Sequence, residues 1–311
     1  MSLPHLTISY MTNRKEPMLN WFISSLHREC KGDFTGISIK VIDFYADSIV
    51  RHVDPKKIDP FSNVISFHTT MPSVWQGKHR LTKKDYFAAS NARNTALCLA
   101  PDGWIAYVDD LSVLMPGWLS CVRQAMEKNY IVLGAYKKVL NLEVDSDGNA
   151  TYTDFTAGVD SRWNSGHQDK PVPAAGSWMF GCSLAAPVEA FLRINGWDTD
   201  CDSLGSEDYI AGIMLEKAGY RFMYDRRMLT LESEERHHDG SSFARFDKGV
   251  SPNDKSHALL KMVMNGRKVA PNYFGEGGIR AVRDKVLKGE PFPIIQCPMH
   301  DWFDGQPLSE L

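Results

Sequence analysis

Trp104-Ile105-Ala106-Tyr107-Val108-Asp109-Asp110 is the stretch that decides how this chain folds. An uninterrupted apolar run that ends abruptly on two acids reads as a central strand covered on both faces. The turn residues Pro101-Asp102-Gly103 stand just before it. Upstream, residues 6–10 read as a strand, and Thr12-Asn13-Arg14-Lys15-Glu16-Pro17 as a polar loop. Residues 18–29 carry Leu19, Phe22, Ile23 and Leu26 at helical spacing. Residues 37–44 alternate Ile37, Ile39 and Val41 and close on Asp43, and 63–68 predict a third strand. An alanine-rich helix is expected from Tyr86 or Ser90 to Ala100. Strands alternating with helices imply an α/β chain with a mostly parallel sheet.

Downstream, a helix is expected from Met115-Pro116-Gly117-Trp118-Leu119 to about Lys128, then a strand over 130–136. Residues 145–170 predict a hairpin with a long loop, turning at Asp147-Gly148. Strands are expected over 177–185, 221–224 and 228–231, with helices over 187–194, 207–218, 256–265 and 279–288. Hydrophobic residues make up 43% of the 311 and charged residues 23%, enough for a sizeable core in one large domain or in one domain with an appendage. The net charge of −3 argues against a chain devoted to coating nucleic acid. No apolar run is long enough to span a bilayer, and the first ten residues do not read as a secretory signal. Six cysteines without a CxxC pair point to reduced thiols and a cytoplasmic location.

Four polar constellations are candidates for chemistry. Asp109-Asp110 would sit at the carboxyl edge of a strand, where open α/β sheets bind ligands. Two adjacent carboxylates repel, and a divalent cation such as Mg²⁺ or Mn²⁺ removes that cost while binding phosphate oxygens. The plainer reading is a solvated turn. Gly205-Ser206-Glu207-Asp208 opens a helix, as simple capping or as a general base beside a hydroxyl. Glu234-Glu235-Arg236-His237-His238-Asp239 offers imidazoles that could complete a metal site, or only a surface loop. Arg93, in Ser90-Asn91-Ala92-Arg93-Asn94, reaches toward a phosphate or base, or toward solvent.

Taken in order, these pieces resemble the GT-A fold of nucleotide-sugar glycosyltransferases, in the style of family 2. The resemblance rests on Ala92-Arg93-Asn94, the strand ending at Asp109-Asp110, and Met115-Pro116-Gly117-Trp118-Leu119. It continues through Phe180-Gly181-Cys182-Ser183, Asn195-Gly196-Trp197-Asp198, Glu207-Asp208-Tyr209 and Ala218-Gly219-Tyr220. It implies a catalytic domain over 1–240, with a nucleotide-binding half (1–110), an acceptor-binding half (111–240) with a small antiparallel part, and a C-terminal extension (241–311) packed on it. It also implies transfer from a nucleotide-diphosphate sugar, a UDP-sugar ahead of others, to an acceptor hydroxyl with Mn²⁺ or Mg²⁺. Thr12, Asn13, Arg14 and Asp43 would hold base and ribose, Arg93 the base or diphosphate, and Asp109 the ribose or metal. Asp110 would be the main metal ligand of a DXD-like motif, joined by His237 or His238; Leu111 stands where the family carries a further acid. Asp208 would be the base, and a lone base implies inversion; Glu207 would bind the acceptor, with Trp178 and Trp197 as a flat platform for it. Competing readings are a glycosyltransferase acting on nucleic-acid bases through the basic residues 78–84, a nucleotidyltransferase, and a non-catalytic carbohydrate-binding protein.

Overall fold

The computed structural model describes residues 3–47, 49–51, 64–73, 88–202, 206–238 and 267–295. Its centre is one sheet in the order β3-β2-β1-β4-β9-β6-β10-β5, with β7 beside β6 and β8 beside β10. The strands are β1 (Leu6–Thr12), β2 (Ile37–Asp43), β3 (Ile65–His68), β4 (Trp104–Asp109) and β5 (Ser112–Leu114). They continue with β6 (Ile131–Val144), β7 (Ala150–Val159), β8 (Val172–Ala174), β9 (Ser183–Pro187) and β10 (Phe222–Ser233). Pairing is parallel from β3 through β2 and β1 to β4, and again between β6 and β10. The intervening β9 is antiparallel to both β4 and β6, which leaves those two pointing the same way. Strands β5, β7 and β8 are antiparallel additions beside β10 and β6.

Helices cover both faces. They are α1 (Leu19–Cys30), α2 (Ala89–Leu99), α3 (Trp118–Lys128), α4 (Val188–Arg193), α5 (Glu207–Lys217), α6 (Glu234–His238) and α7 (Gly278–Val286). Alternation along β4 explains why its sequence is continuously apolar. Trp104, Ala106 and Val108 pack under α1 and α3, while Ile105 and Tyr107 face the core built with α2, α4 and α5. Each face is covered, so no polar residue is tolerated until the strand ends. The described part of the C-terminal extension lies against α2. Arg283 donates to the Ala100 carbonyl at 2.9 Å and to Asp102 at 2.7 Å, and the Ile279 amide donates to Asn195 Oδ1 at 2.9 Å.

Several expected boundaries shift for visible reasons. β6 runs on to Val144 because its second half pairs with β7, and Asp145 Oδ1 accepts the Asp147 and Asn149 amides to close the turn at Gly148. The two strands expected over 221–224 and 228–231 are one strand, β10, with a register shift between Asp225 and Leu229. Asp225 holds that irregularity by accepting from the Arg227 amide at 3.1 Å and from its guanidinium at 2.9 Å. The strand expected over 177–185 begins only at Ser183. Gly176–Trp178 is a 3₁₀ turn instead, set against α5 so closely that a Cβ on Gly176 would lie 2.1 Å from the Gly212 carbonyl oxygen. β5 was not expected at all; it follows Leu111, whose φ of 60° turns the chain back after β4. The basic residues 78–84, the helix start at Tyr86, the helix over 256–265, Gly205, Asp239, Cys297 and His300 lie outside the described residues.

Candidate active site

The register of the parallel strands assembles the site. Thr12 pairs with Asp43, and Met11 with Asp109, so the ends of β1, β2 and β4 form one row along the sheet's carboxyl edge. Distant sequence segments thus meet where α/β sheets bind ligands.

Asp109 and Asp110 have different surroundings. Asp110 is closed by the protein. Its Oδ1 accepts from Arg14 Nε at 3.0 Å and its Oδ2 from Thr12 Oγ1 at 2.7 Å. Arg14, only 4% exposed, also donates from Nη1 to the carbonyls of Arg236 and His237 at 3.2 and 3.1 Å. One arginine therefore ties the end of β4 to the helix that carries the histidines. Burial pushes the Asp110 carboxyl up to about 6, against the pull of Arg14 and Thr12. Asp109 is more open: 33% of its side chain is exposed, and its Oδ1 accepts one bond, from Arg93 Nη2 at 3.3 Å. Its pKa is raised by desolvation, opposed by Arg93.

Arg93 organises the other side. It is 2% exposed, lies with its guanidinium 4.8 Å from the centre of the Trp197 ring, and donates from Nη1 to Glu207 Oε1 at 2.6 Å. It threads past Gly181, where a Cβ would come within 2.0 Å of Nη2. Only a residue without a side chain leaves that passage open. Glu207 and Asp208 open α5. Ser206, expected to cap that helix through its hydroxyl, instead takes φ 68° and makes no side-chain cap bond. Asp208 itself is fixed by backbone amides: Oδ2 accepts from Gly181 at 3.1 Å and Oδ1 from Tyr209 at 2.7 Å. Burial and the neighbouring Glu207 raise its pKa above the ordinary carboxylate range, with Arg93 opposing.

Three of the expected residues are engaged by the protein's own contacts. Asp43 is fully buried, and its oxygens accept from Arg51 at 2.5 and 2.8 Å and from the Tyr45 amide at 2.9 Å. Arg51 reaches on to the Arg14 carbonyl at 2.8 Å, so Asp43 shapes the loop after β1 and offers no open edge to a base or ribose. Trp197, expected as an acceptor platform, has no exposed surface; its ring stacks on Phe191 at 4.9 Å and its Nε1 donates to Tyr107 Oη at 3.2 Å. Its apolar bulk belongs to the core beneath Arg93. Arg93 was expected at a base or diphosphate; its bonds instead join Asp109 to Glu207. Trp178 is half-buried, edge-on to Tyr224 at 6.0 Å. Thr12 and Asn13 are buried at the end of β1, and the His237 backbone stands beside Arg14.

Residues given no role in the sequence reading complete the surroundings. Glu232, on β10 opposite Ser112 and Lys138, is 8% exposed and feels the charges of Asp109 and Asp110. Cys182, a free thiol just before β9, has its pKa driven up by burial and by the charges of Glu232, Asp109 and Asp208. Tyr136 and Phe180 meet edge-to-face at 5.8 Å on the neighbouring wall. Behind them Arg162 pairs with Asp160 at 2.6 Å and donates to the Gly134 carbonyl at 2.8 Å. It fixes the segment that carries Gly181.

A divalent cation was expected on Asp110 with His237 or His238. Among the described residues, no group of three His, Cys, Asp or Glu side chains is arranged to hold one. Both Asp110 oxygens are already taken by Thr12 and Arg14. The open oxygen of Asp109, free of Arg93, is of the chemistry that suits Mg²⁺ or Mn²⁺. Most ligands of such a cation would have to come from substrate and water.

No family model matches the sequence, and no curated protein matches it. Solved structures do. The crystal structure of GalNAc-T7 with UDP, GalNAc and Mn²⁺ superposes with a TM-score of 0.54 at 12% identity, covering 94% of this chain and 59% of that one. The structure of S. aureus TarS 1–349 in complex with UDP superposes with a TM-score of 0.53 at 11% identity, covering 83% of this chain and 64% of that one. The chain therefore spans about three-fifths of the length of either. At such low identity the likeness speaks for architecture: this chain has the GT-A fold of nucleotide-sugar glycosyltransferases.

Proposed function

We propose that the chain is a metal-dependent, inverting glycosyltransferase that moves a sugar from a nucleotide-diphosphate sugar to an acceptor hydroxyl on a glycan or glycoconjugate. One observation carries this reading: Asp208, a carboxylate with a raised pKa, opens α5 beside Glu207, which Arg93 ties to Asp109 at the sheet's carboxyl edge. The GT-A fold and the UDP present in both matching structures support a UDP-sugar as donor.

The chain's own groups divide the work. The Gly181 and Tyr209 amides hold Asp208 in one orientation, so its carboxylate can accept a proton from an acceptor hydroxyl. No second carboxylate is needed as a nucleophile, and direct displacement inverts the anomeric carbon. Arg93 keeps Glu207 and Asp109 in place without itself leaving the core. The segment Thr12-Asn13-Arg14, braced by Arg51 and Asp43, lines the donor side. Mn²⁺ or Mg²⁺, when bound, would neutralise charge on the leaving diphosphate. Half-buried Trp178 supplies apolar surface on the acceptor side. A catalytic domain over 1–240 with 241–311 packed on it is part of this proposal. No helix among the described residues is long and apolar enough to cross a membrane, and a cytoplasmic site of action is likewise proposed.

A thermal-shift screen of nucleotide sugars with and without Mn²⁺ tests the reading, because a ligand that binds only the folded state raises the melting temperature by mass action. A UDP-sugar plus Mn²⁺ is expected to stabilise the chain. If no nucleotide-diphosphate sugar does so, and none is turned over with any acceptor, the proposal fails.

A further inference from the structure

Glycine stands at both ends of the segment 176–181, and each end is keyed to α5. At the first end, Gly176 meets Gly212 so closely that a Cβ on either would come within 2.1 Å of the other's carbonyl oxygen. At the second, the Gly181 amide donates to Asp208 at 3.1 Å, and a Cβ there would collide with Arg93. The segment is a strap laid against α5 that touches both Arg93 and Asp208 at its far end. The direction of the Gly181 amide therefore bears on where the Asp208 carboxylate points, since such a bond weakens steeply away from its preferred geometry.

One buried side chain pins the middle of this strap. Arg162, 6% exposed, donates from Nη1 to the Trp178 carbonyl and lies with its guanidinium 4.2 Å from the centre of the Phe180 ring. Its Nη2 donates to the Gly134 carbonyl on β6 at 2.8 Å, so one planar fork holds strap and sheet together. Asp160 aims that fork: it takes Nε at 2.9 Å and Nη2 at 2.6 Å, and its side chain has no exposed surface. Asp160 also accepts from the Tyr136 amide and the Tyr224 hydroxyl, both at 3.4 Å. A buried polar network with its members satisfied is rigid and specifies one geometry. The Arg162 charge is paired with Asp160, whereas the charges that act most on Asp208 are those of Glu207 and Arg93. What Arg162 passes to Asp208 is position.

We propose that Arg162 is a positioning residue for Asp208: by pinning residues 178 and 180 to β6, it aims the Gly181 amide at the carboxylate. The inference rests on the glycosyltransferase reading only for Asp208 being the base. Lysine at 162 would keep the charge but has no fork to hold Asp160 and the Trp178 and Gly134 carbonyls at once.

The test follows the Gly181 and Tyr209 amide protons of the full chain by NMR as pH is lowered through about 6, where the Asp208 carboxyl takes up its proton. Both amides donate to that carboxylate, so both should shift in the parent, and neither should in Asp208→Asn. In Arg162→Lys the Gly181 step should shrink by about half or more, while the Tyr209 step, whose amide belongs to α5 itself, remains. With a UDP-sugar, kcat should fall by about 10- to 100-fold and the donor KM should stay within about threefold. The acid limb should move to higher pH, because an amide that no longer reaches Asp208 no longer favours its charged form. Arg162→Gln combined with Asp160→Asn leaves no unpaired charge in the core and serves where Arg162→Lys does not fold. A Gly181 step of parental size in these variants, equal loss of both amide steps, or no Gly181 step in the parent overturns the inference. The proposed function is tested separately by sugar transfer. A Gly181 step that depends on Arg162, in a chain that transfers no sugar from any nucleotide-diphosphate sugar, sustains the positioning and defeats the glycosyltransferase reading. Sugar transfer with a Gly181 step and a kcat both indifferent to Arg162 does the reverse.

Discussion

Two arginines stand on either side of the Asp109-Asp110 step, and they do different things with neighbouring acids. Arg14 takes one oxygen of Asp110, Thr12 the other, and Arg14 carries on to two backbone carbonyls of α6. Arg93 takes one oxygen of Asp109 and spends its shorter bond on Glu207, at 2.6 Å against 3.3 Å. The Arg14 pair joins pieces of backbone; the Arg93 cluster joins pieces of chemistry and leaves oxygen atoms unspent. Adjacent residues of identical type thus receive opposite roles from partners about a hundred positions apart on one side and sixteen on the other. A motif of two acids is not a unit of function until its counter-ions are known.

The largest effect should come from the Arg93 side. Asp208→Asn removes the group proposed to accept the proton while keeping its shape, and its single oxygen still serves one of the Gly181 and Tyr209 amides. Turnover with a UDP-sugar should fall by about 10² to 10⁴-fold, the usual yield of a positioned base, with donor binding nearly unchanged. Steady-state rates together with a thermal shift by UDP check both halves. Unchanged turnover would remove Asp208 as the base and leave its burial without a catalytic reason.

The Arg14 side should show its effect in stability. Arg14→Ala strands Asp110, whose side chain is only 16% exposed, and frees the α6 carbonyls. Breaking a buried pair from one end costs about 3 kcal/mol, or a melting temperature lower by roughly 5 °C in a chain of this size. Asp109→Asn breaks a longer, more open contact and should cost less than about 1 kcal/mol. Equal losses in the two variants, measured by urea or thermal unfolding, would erase the distinction between a structural and an available acid.

How much of this the sequence displays follows the range of the interactions. β1, β2, β4 and α2 are readable because each is a local pattern: alternation, a continuous apolar run, an alanine-rich stretch. Asp109, Glu207 and Asp208 stand out because strand ends and helix starts are themselves local signals. Glu232 does not. In Leu229-Thr230-Leu231-Glu232-Ser233 it sits where alternation puts a solvent-facing residue, and only the pairing of β10 with both β5 and β6 buries it. Trp197 fails in the other direction, since an aromatic after Asn195-Gly196 suits a platform or a core equally well until Phe191 and Tyr107 are seen around it. Arg51 is invisible for the same reason as Arg14's role: both are defined by what they reach, not by what stands beside them in the chain.

A smaller effect sharpens the contrast through pH. A base must be ionised to work, and the Asp208 carboxyl is pushed up to about 6, chiefly by burial and then by Glu207. Activity should therefore be full above that value and fall as pH drops through it, a limb set well above the ordinary aspartate range near 4. The sign for stability is opposite to that of an ion-paired acid: a raised folded pKa favours the protonated form, so this group destabilises the fold as pH rises through the same window. Arg93→Lys keeps a positive charge but cannot bridge Asp109 and Glu207 through one planar fork. With its opposing cation less well placed, the Asp208 limb should move further up in pH, by a fraction of a unit to one unit. The same exchange at Arg14 should lower the melting temperature and leave the limb where it is. A limb that moves equally in both variants would mean that the two arginines act on the base through general charge alone, and that the division between them is not electrostatic.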